Sequence, residues 1–162
     1  MKNRGFTIVE LLIVIVIIAI LAAITIVAYN GIQVRARDTI RTSDSTSIRK
    51  ALELYKTDKG NYPISGGYSI STDNNFLATL KPYMGSIPVD PINNADHNYR
   101  YISTGDGASY GCSDGSKGNY YVLWFVGYES SSNIPSSSSS FICPSANWTS
   151  GGNKGSWHDW QY

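Results

Sequence analysis

The sequence predicts an α+β fold in which one long N-terminal helix packs on a small antiparallel β-sheet. Three observations predict it. An almost unbroken apolar run occupies residues 5–28, and a polar stretch with helical periodicity follows it directly. From residue 60 the chain is rich in Gly, Ser, Asn and Tyr, with short strand-like segments between turn residues. Helical and strand periodicities therefore separate along the chain, as expected of an α+β protein.

The apolar run is long enough to cross a membrane. Leu11 to Ala28 is 18 residues with Thr25 as its only polar member, and as a helix it measures about 27 Å, close to the thickness of a bilayer's hydrocarbon core. Neither Pro nor Gly interrupts it, so a helix can satisfy every backbone group internally. Lys2 and Arg4 precede the run. The positive-inside bias therefore predicts a cytoplasmic N-terminus and an external remainder.

The start of the run carries a family resemblance. Residues 4–11, RGFTIVEL, resemble the class III leader and N-terminus of type IV pilins and the related pseudopilins, and no small-x-small signal cleavage site follows the run. The resemblance implies that a prepilin peptidase cuts after Gly5. Phe6 then becomes an N-methylated N-terminus, and Glu10 is the fifth residue of the mature chain. Residues 52–63 and 87–91 also resemble the major pseudopilin and its close pilin relatives, whereas beyond about Ile102 only the architecture is similar.

The resemblance implies a pilin fold with four regions. These are a leader peptide (1–5), a transmembrane and polymerisation helix (6–30), an amphipathic helix that packs on the head (31–59), and a globular head with a disulfide loop and an aromatic tail (60–162). The subunit is expected in the cytoplasmic membrane before assembly and in a cell-surface filament afterwards. Its expected partners are further copies of itself in a helical filament, the prepilin peptidase and the pilus assembly platform.

The implied function is structural. We expect a subunit of a type IV pilus-like surface filament, used for adhesion, twitching motility or DNA uptake. Two alternatives remain open at this point. One is a pseudopilin of a type II secretion system, which works as a short periplasmic piston. The other is a filament-tip adhesin, or binding module, with its specificity in the tail.

Glu10 is the one carboxylate near the start of the span. A charge at a lipid-facing position costs about 2.5 to 3.5 kcal/mol near the bilayer centre and less near an interface. The ammonium that cleavage creates at Phe6 of a neighbouring subunit could compensate it and set the register of assembly. Alternatively, Glu10 lies at the headgroup level near the positive end of the helix dipole. Many type IV pilins have Pro where Val27 stands here, so only Gly31 is expected to loosen this helix.

Helical periodicity continues beyond the span. The predicted buried stripe consists of Ile40, Ile48, Ala51, Leu52 and Tyr55. The predicted opposite stripe consists of Arg35, Asp38, Thr42, Ser45, Arg49, Glu53 and Lys56. Gly60, Asn61 and Pro63 supply a stop signal, so the helix is expected to run from Phe6 to Thr57, over about 78 Å.

The head is predicted to hold one short helix and an antiparallel sheet of three or four strands. Thr72 or Asp73 could cap the helix, which ends near Gly85 and Pro88. Its expected buried side is Phe76, Leu77, Leu80 and Tyr83. The predicted strands are Asn98–Ser103, Tyr120–Tyr128 and Ser140–Cys143, laid on the Ile48, Leu52 and Tyr55 face of the long helix.

Cys112 and Cys143 lie in the exported region, where a disulfide is the default for an even cysteine count. It would stabilise the head by about 3 to 4 kcal/mol on the chain-entropy model. Two buried free thiols are the alternative. A metal site is weaker, because only His97 and His158 could join the cysteines.

Composition argues against several functions. The chain has 13 Lys and Arg against 12 Asp and Glu, and losing Lys2 and Arg4 leaves a net charge near −1, so nucleic acid is an unlikely partner. No nucleophile, base and orienting group form a catalytic set, and we predict no enzyme. Four loop carboxylates are interpreted as turn residues: Asp90, Asp96, Asp106 and Asp114. Calcium is the alternative for them, and no other cofactor is expected.

The C-terminal tail concentrates aromatic residues: Trp148, Trp157, Trp160 and Tyr162. The simpler interpretation is that they fold back on the sheet as core or as a subunit interface. The alternative is an exposed surface that binds host cells or glycans, because aromatic rings are enriched at recognition hot spots. DNA binding ranks below both, since Lys154 is the tail's only permanent cation.

Overall fold

A computed structural model describes residues 5–104, 120–130 and 157–161 of the chain. In order, its elements are helix α1 (Ile8–Lys59), strand β1 (Ser69–Ile70), a 3₁₀ turn (Ala78–Leu80), and strands β2 (Asn98–Thr104), β3 (Tyr120–Val126) and β4 (Trp157–Gln161). The strands form one antiparallel sheet in the order β1-β2-β3-β4. The predicted α+β fold, a long helix on a small antiparallel sheet, is confirmed.

Helix α1 has 52 residues and measures about 78 Å. It begins two residues later than predicted, because Thr7 is extended (φ −84°, ψ 152°) and acts as the N-cap. It ends at Lys59 instead of Thr57. Gly60 adopts the left-handed conformation (φ 82°) and donates its N–H to the carbonyl of Lys56, so the predicted glycine stop is confirmed.

The face of α1 that contacts the head differs from the predicted stripe. Ile48, Ala51 and Leu52 are buried, as predicted. The prediction for Ile40 was wrong, because its side chain is 47% exposed. Asp38 and Ser45 were also assigned to the wrong side, and both are buried against the head. The reason is that this end of the head presents charged and backbone polar groups to the helix, so polar residues there occupy the buried positions.

Tyrosines form much of the core. The inner face of the sheet packs on α1 through Tyr99, Tyr101, Tyr121, Leu123 and Phe125. The hydroxyl of Tyr101 donates to the carbonyl of Pro63 (2.7 Å), and that of Tyr99 donates to Asp44 (2.8 Å). The rings of Tyr99 and Tyr101 supply apolar area while their hydroxyls stay hydrogen-bonded, so these two residues can serve as core residues.

Strands β2 and β3 are buried on both faces. Successive side chains alternate between the faces, and Ile102, Val122 and Val126, which point away from α1, are buried as well as the inner residues. This explains why β3 has the nearly continuous apolar sequence YYVLWFV instead of alternating apolar and polar residues.

The predicted second helix is not an α-helix. Residues 73–84 form a series of turns with one 3₁₀ turn at Ala78–Leu80, and neither Thr72 nor Asp73 caps it with its side chain. Leu77 adopts a left-handed conformation (φ 43°), which interrupts α-helical geometry. The predicted buried side is nevertheless correct for Phe76, Leu77 and Leu80, and Tyr83 is partly buried.

The strand predictions were correct in place but not in every boundary. β2 extends to Thr104, and β3 ends at Val126 instead of Tyr128, because Gly127 turns the chain at φ 90°. A Cβ at Gly127 would lie 2.6 Å from the carbonyl oxygen of Asp96, so only glycine fits there. The predicted strand at 140–143 and both cysteines, Cys112 and Cys143, lie outside the described residues. The disulfide therefore stays a prediction.

Two strands were not predicted. β1 is only two residues long, which gives no periodic signal. β4 pairs with β3, with Trp157 opposite Phe125 and Gln161 opposite Tyr121. The backbone of residues 157–161 therefore lies on the sheet, and whether the aromatic side chains of the tail belong to the core or to an interface stays a prediction.

Two neighbouring leucines of α1 test this packing. Leu52 is fully buried and Leu54 is 55% exposed. We expect Leu52→Ala to lower the free energy of unfolding by about 2 to 5 kcal/mol, because it leaves a cavity. Leu54→Ala should change it by less than about 0.5 kcal/mol. Urea denaturation of the detergent-solubilised chain measures both, and equal losses would contradict the described orientation of α1.

Candidate assembly site

The first half of α1 is an apolar surface that the described head does not cover. Its large apolar side chains between Ile8 and Ile26 are each 47% to 80% exposed, on every side of the helix. Of the described elements, only α1 is long and apolar enough to cross a membrane. The hydroxyl of Thr25 donates to the carbonyls of Leu21 (2.8 Å) and Ala22 (3.0 Å), so this polar group is satisfied inside the helix. A helix that is apolar all round requires lipid or other apolar helices around it.

The predicted cleavage site lies just before α1. Gly5 and Phe6 are not helical, no atom would approach within 4 Å of a Cβ at Gly5, and Phe6 is 84% exposed. A peptidase needs an accessible peptide in an extended conformation, and the Gly5–Phe6 bond is accessible and outside the helix.

Glu10 forms a capping box with Thr7. Its carboxylate oxygen Oε2 accepts from the backbone N–H of Thr7 (2.8 Å) and from the Thr7 hydroxyl (2.7 Å), while the N–H of Glu10 donates to that hydroxyl (3.3 Å). Two N-terminal groups of the helix are thereby satisfied. The sequence-based predictions for Glu10 were the helix dipole or a neighbouring subunit as its partner, and this local partner was not predicted. The T-x-x-E spacing is the signal that could have found it.

A second polar feature joins α1 to the head. We call it the junction cluster, and it consists of Arg37, Asp38, Arg41, Asp90 and Glu129. Arg41 is fully buried. Its guanidinium donates to both oxygens of Asp90 (Nε to Oδ2, 2.7 Å; Nη2 to Oδ1, 3.1 Å) and, through Nη1, to Asp38 (2.7 Å) and Glu129 (3.1 Å).

Backbone N–H groups donate further hydrogen bonds to two carboxylates of the junction cluster. Asp38 accepts from the N–H groups of Glu129 (3.1 Å) and Ser130 (3.0 Å), the two residues near the end of β3. Asp90 accepts from the N–H groups of Ile92 (2.8 Å) and Asn93 (3.3 Å). Buried charges are tolerated when their remaining lone pairs are satisfied in this way.

Arg37 makes the outermost ion pair of the junction cluster. Its guanidinium forms a bidentate pair with Glu129, with Nε 2.6 Å from Oε1. The hydrogen bond from Arg37, opposed by burial and reinforced by Arg41, lowers the pKa of Glu129 to about 2. Burial alone would lower the pKa of Arg41, but its hydrogen bonds to Asp90 and Asp38 reverse this effect and raise it. Arg37, Arg41 and Glu129 are therefore charged at neutral pH.

Sequence reasoning missed the junction cluster because its residues are charged. Asp38 was assigned to the solvent side, Asp90 was interpreted as a turn carboxylate with calcium as the alternative, and Arg41 was not singled out. A usable signal was present, since Arg41 and Ser45 continue the stripe of Ile48 and Leu52 at helical spacing. The prediction placed polar side chains in solvent because they are polar, although their helical spacing indicated the buried face correctly.

In the part of the chain that the structure describes, the other predicted site residues do not form one site. Asp96 is exposed and His97 is half-buried, while Asp106 and Asp114 lie outside the described residues. Within the described parts of the chain, no three or more His, Cys, Asp or Glu side chains are grouped as a metal site would require. Trp157 and Trp160 lie on β4, whereas Trp148 and Tyr162 lie outside the described residues. The proposed ligand surface of the tail stays a prediction.

Comparison with family models gives two matches that together cover most of α1 and the head. Residues 1–26 match the prokaryotic N-terminal methylation motif. Residues 29–120 match the type II secretion system protein G model. No solved structure matches the chain significantly.

The curated proteins that are similar to the chain include type II secretion system core proteins and a type IV pilus component. The type II secretion system core protein G of Escherichia coli is 30% identical over 116 residues, which cover 67% of this chain and 78% of that protein. The core protein G of Pseudomonas aeruginosa is 30% identical over 118 residues, covering 64% and 76%. The type IV wide pilus major component of Thermus thermophilus is 46% identical over 63 residues, covering 38% and 48%.

The low pKa of Glu129 predicts a pH-dependent contribution to stability. Since the folded pKa lies below the ordinary value of 4.5, the contribution is complete above pH 4.5 and is lost as the pH falls towards 2. We expect Glu129→Gln to lower the free energy of unfolding at pH 7 by up to about 3 kcal/mol and to have little effect at pH 2. Urea denaturation of the full chain in detergent at both pH values checks this. A difference from wild type that does not change with pH would contradict the assigned ion pair.

Proposed function

The chain belongs to the type II secretion system protein G family, within the type IV pilins and pseudopilins, and from this premise we propose that it is the repeating subunit of a secretion pseudopilus. Pilins and pseudopilins are structural filament subunits, so the chain is a pilin-like filament subunit and not an enzyme. The proposal concerns which machine assembles the filament.

The observation that carries the proposal is the extent of the protein G match. It runs from residue 29 of α1 to the start of β3 at residue 120, so it includes the amphipathic helix, the turns that follow it and β2. The core protein G relatives are similar over about three quarters of their own length. Similarity in the head supports a secretion role more strongly than similarity in the apolar helix, because pilins and pseudopilins have that helix in common.

A surface pilus is the second candidate, and one observation favours it. The pilus component of Thermus thermophilus has the higher identity, 46%, but over only 63 residues. Our sequence-based expectation placed the pilus first and the pseudopilin second. The comparisons favour the opposite order.

Assembly is proposed to depend on the apolar half of α1 and on Glu10. In a bundle of such helices the exposed Leu and Ile side chains would bury one another. This burial attracts the helices but does not fix their axial register, because it is not directional. Both Thr7 hydrogen bonds use oxygen Oε2 of Glu10, and within the described residues no group donates to Oε1. That oxygen could accept from the ammonium of Phe6 on an adjacent, cleaved subunit. A charge pair in an apolar setting would then set the register.

Substitution of Glu10 tests this charge pair. Glu10→Gln keeps an acceptor oxygen for Thr7 and removes only the charge, so the capping box persists while the neighbour's ammonium is left unpaired, at a cost of several kcal/mol. We expect normal subunit levels in the membrane and loss of filaments. Glu10→Leu should behave the same, and Glu10→Asp should assemble in part. Electron microscopy and immunoblotting of sheared material measure the outcome.

Thr7→Val is the matched control, since it removes the hydroxyl of the capping box and keeps the charge. If Glu10 acted only as a helix cap, Glu10→Gln would assemble at the wild-type level and Thr7→Val would not. That result would reject charge pairing.

Deletion of the gene tests the proposed machine. We expect the deletion strain to retain secreted enzymes inside the cell envelope and to keep its twitching motility. Wild-type protein should restore secretion, whereas Gly5→Val should not, because the uncleaved chain cannot release its Phe6 terminus. Long surface filaments built of this subunit on wild-type cells, together with normal secretion after deletion, would favour the pilus instead.

A further inference from the structure

The junction cluster lies where α1 leaves the head. Among the residues of α1 whose burial is described, Asp38 is the first that is buried, and those before Arg37 are exposed or half-exposed. β3 runs antiparallel to α1, since Tyr121 at its start packs on Tyr62 beyond the helix end, and Glu129 beyond its own end pairs with Arg37. Among the described contacts between helix and head, the junction cluster therefore lies nearest to the apolar half.

Three separate chain segments meet in the junction cluster. α1 supplies Arg37, Asp38 and Arg41, the loop before β2 supplies Asp90, and the residues after β3 supply Glu129. A guanidinium that binds a carboxylate with two nitrogens has a fixed planar geometry. Bonds of this kind from α1 to two separate segments of the head restrict rotation of the head about the helix, as well as the distance between them.

Apolar packing alone would not give this restriction. Ile48, Ala51 and Leu52 lie two to three turns further along α1, and apolar contacts are not directional. The arm from Ile8 to Arg37 is about 45 Å long, so a tilt of about 10° at the junction would displace its tip by about 8 Å, more than one helical turn. Heads and helices of neighbouring subunits could not both remain in register after such a displacement.

We propose that the junction cluster is a positioning element for filament assembly, in which Arg41 and its carboxylate partners fix the angle between the apolar helix and the head. The inference rests on the filament-forming role of the chain and not on the choice between pseudopilus and pilus. Its residues act on assembly through orientation, without requiring contact with a neighbouring subunit.

A variant whose junction cluster has lost its buried charges tests the proposal. The triple variant Arg41→Met, Asp38→Asn and Asp90→Asn removes the charges of these three residues and fills the volume of the arginine. The amide at position 90 keeps the oxygen that accepts from both backbone N–H groups there, and the amide at position 38 keeps one of its two acceptors. Replacing a buried ion network in this way often preserves stability. The matched control is Asp58→Asn, which removes the exposed ion pair with Lys59 (3.0 Å, side chains 53% and 55% exposed).

Two readouts separate orientation from folding. Spin labels on keto amino acids introduced at the exposed positions Ile32 and Lys81 report the distance between helix and head in the full chain. We expect a narrow distribution in wild type and in Asp58→Asn, and a broad one in the triple variant at an unchanged melting temperature. Filaments should be lost only in the triple variant, while its subunit level in the membrane stays normal.

Arg41→Lys covers the case in which the triple variant does not fold. Lysine keeps the charge but cannot bind Asp90 with two nitrogens, so we expect a folded subunit, a broadened distance distribution and fewer filaments. Wild-type filament levels with a broadened distribution, in either variant, would overturn the proposal. A narrow distribution in a folded variant that lacks the bidentate pair would overturn it as well. The Glu10 variants distinguish a failure of helix assembly from a failure of this inference, because they leave the measured distance unchanged.

Discussion

One uninterrupted helix has to be stable in two environments, and the rest of the structure depends on this constraint. The first half of α1 is apolar on every side and lacks cover from the described head, while the second half has one face buried against the sheet. Neither Pro nor any internal break separates the halves. The head can therefore be small, because it has to cover only one face of about six helical turns.

The transition between the two environments is marked by charge. Around Arg41 the buried face of α1 is polar, and from Ile48 onward it is apolar. A buried guanidinium requires carboxylates that accept its hydrogen bonds, and those carboxylates require backbone N–H donors in turn. Three chain segments supply these groups. An apolar substitute can match the stability of such a network, but it contains no hydrogen bonds, which are directional. A subunit whose head must project from a filament at one angle benefits from that directionality.

Most of the fold could be predicted from the sequence because its strongest signals are local. The apolar run, the glycine stop at Gly60 and the two central strands each depend on residues close together in the chain. The errors concern contacts between distant segments. The burial of Asp38 depends on N–H groups 91 and 92 residues away, and the 3₁₀ turn near Leu77 depends on tertiary packing that overrides helix propensity. At the candidate assembly site, the cleavage position and the role of Glu10 are predictions from a motif, whereas the junction cluster has no motif.

Because of the direction of the strands, the connection from β2 to β3 starts and ends at one end of the sheet, and the connection from β3 to β4 starts and ends at the opposite end. β2 and β3 are joined at the end of the sheet near Tyr62, far from the apolar half of α1. The chain leaves β3 at the junction cluster and rejoins the sheet at Trp157, opposite Phe125, at that same end. Insertions between β2 and β3 would therefore change the end of the head that is far from the apolar half of α1. Insertions between β3 and β4 would change the end that is near it. A lineage could alter either end of the head by changing one connection, without altering the helix or the register of the sheet.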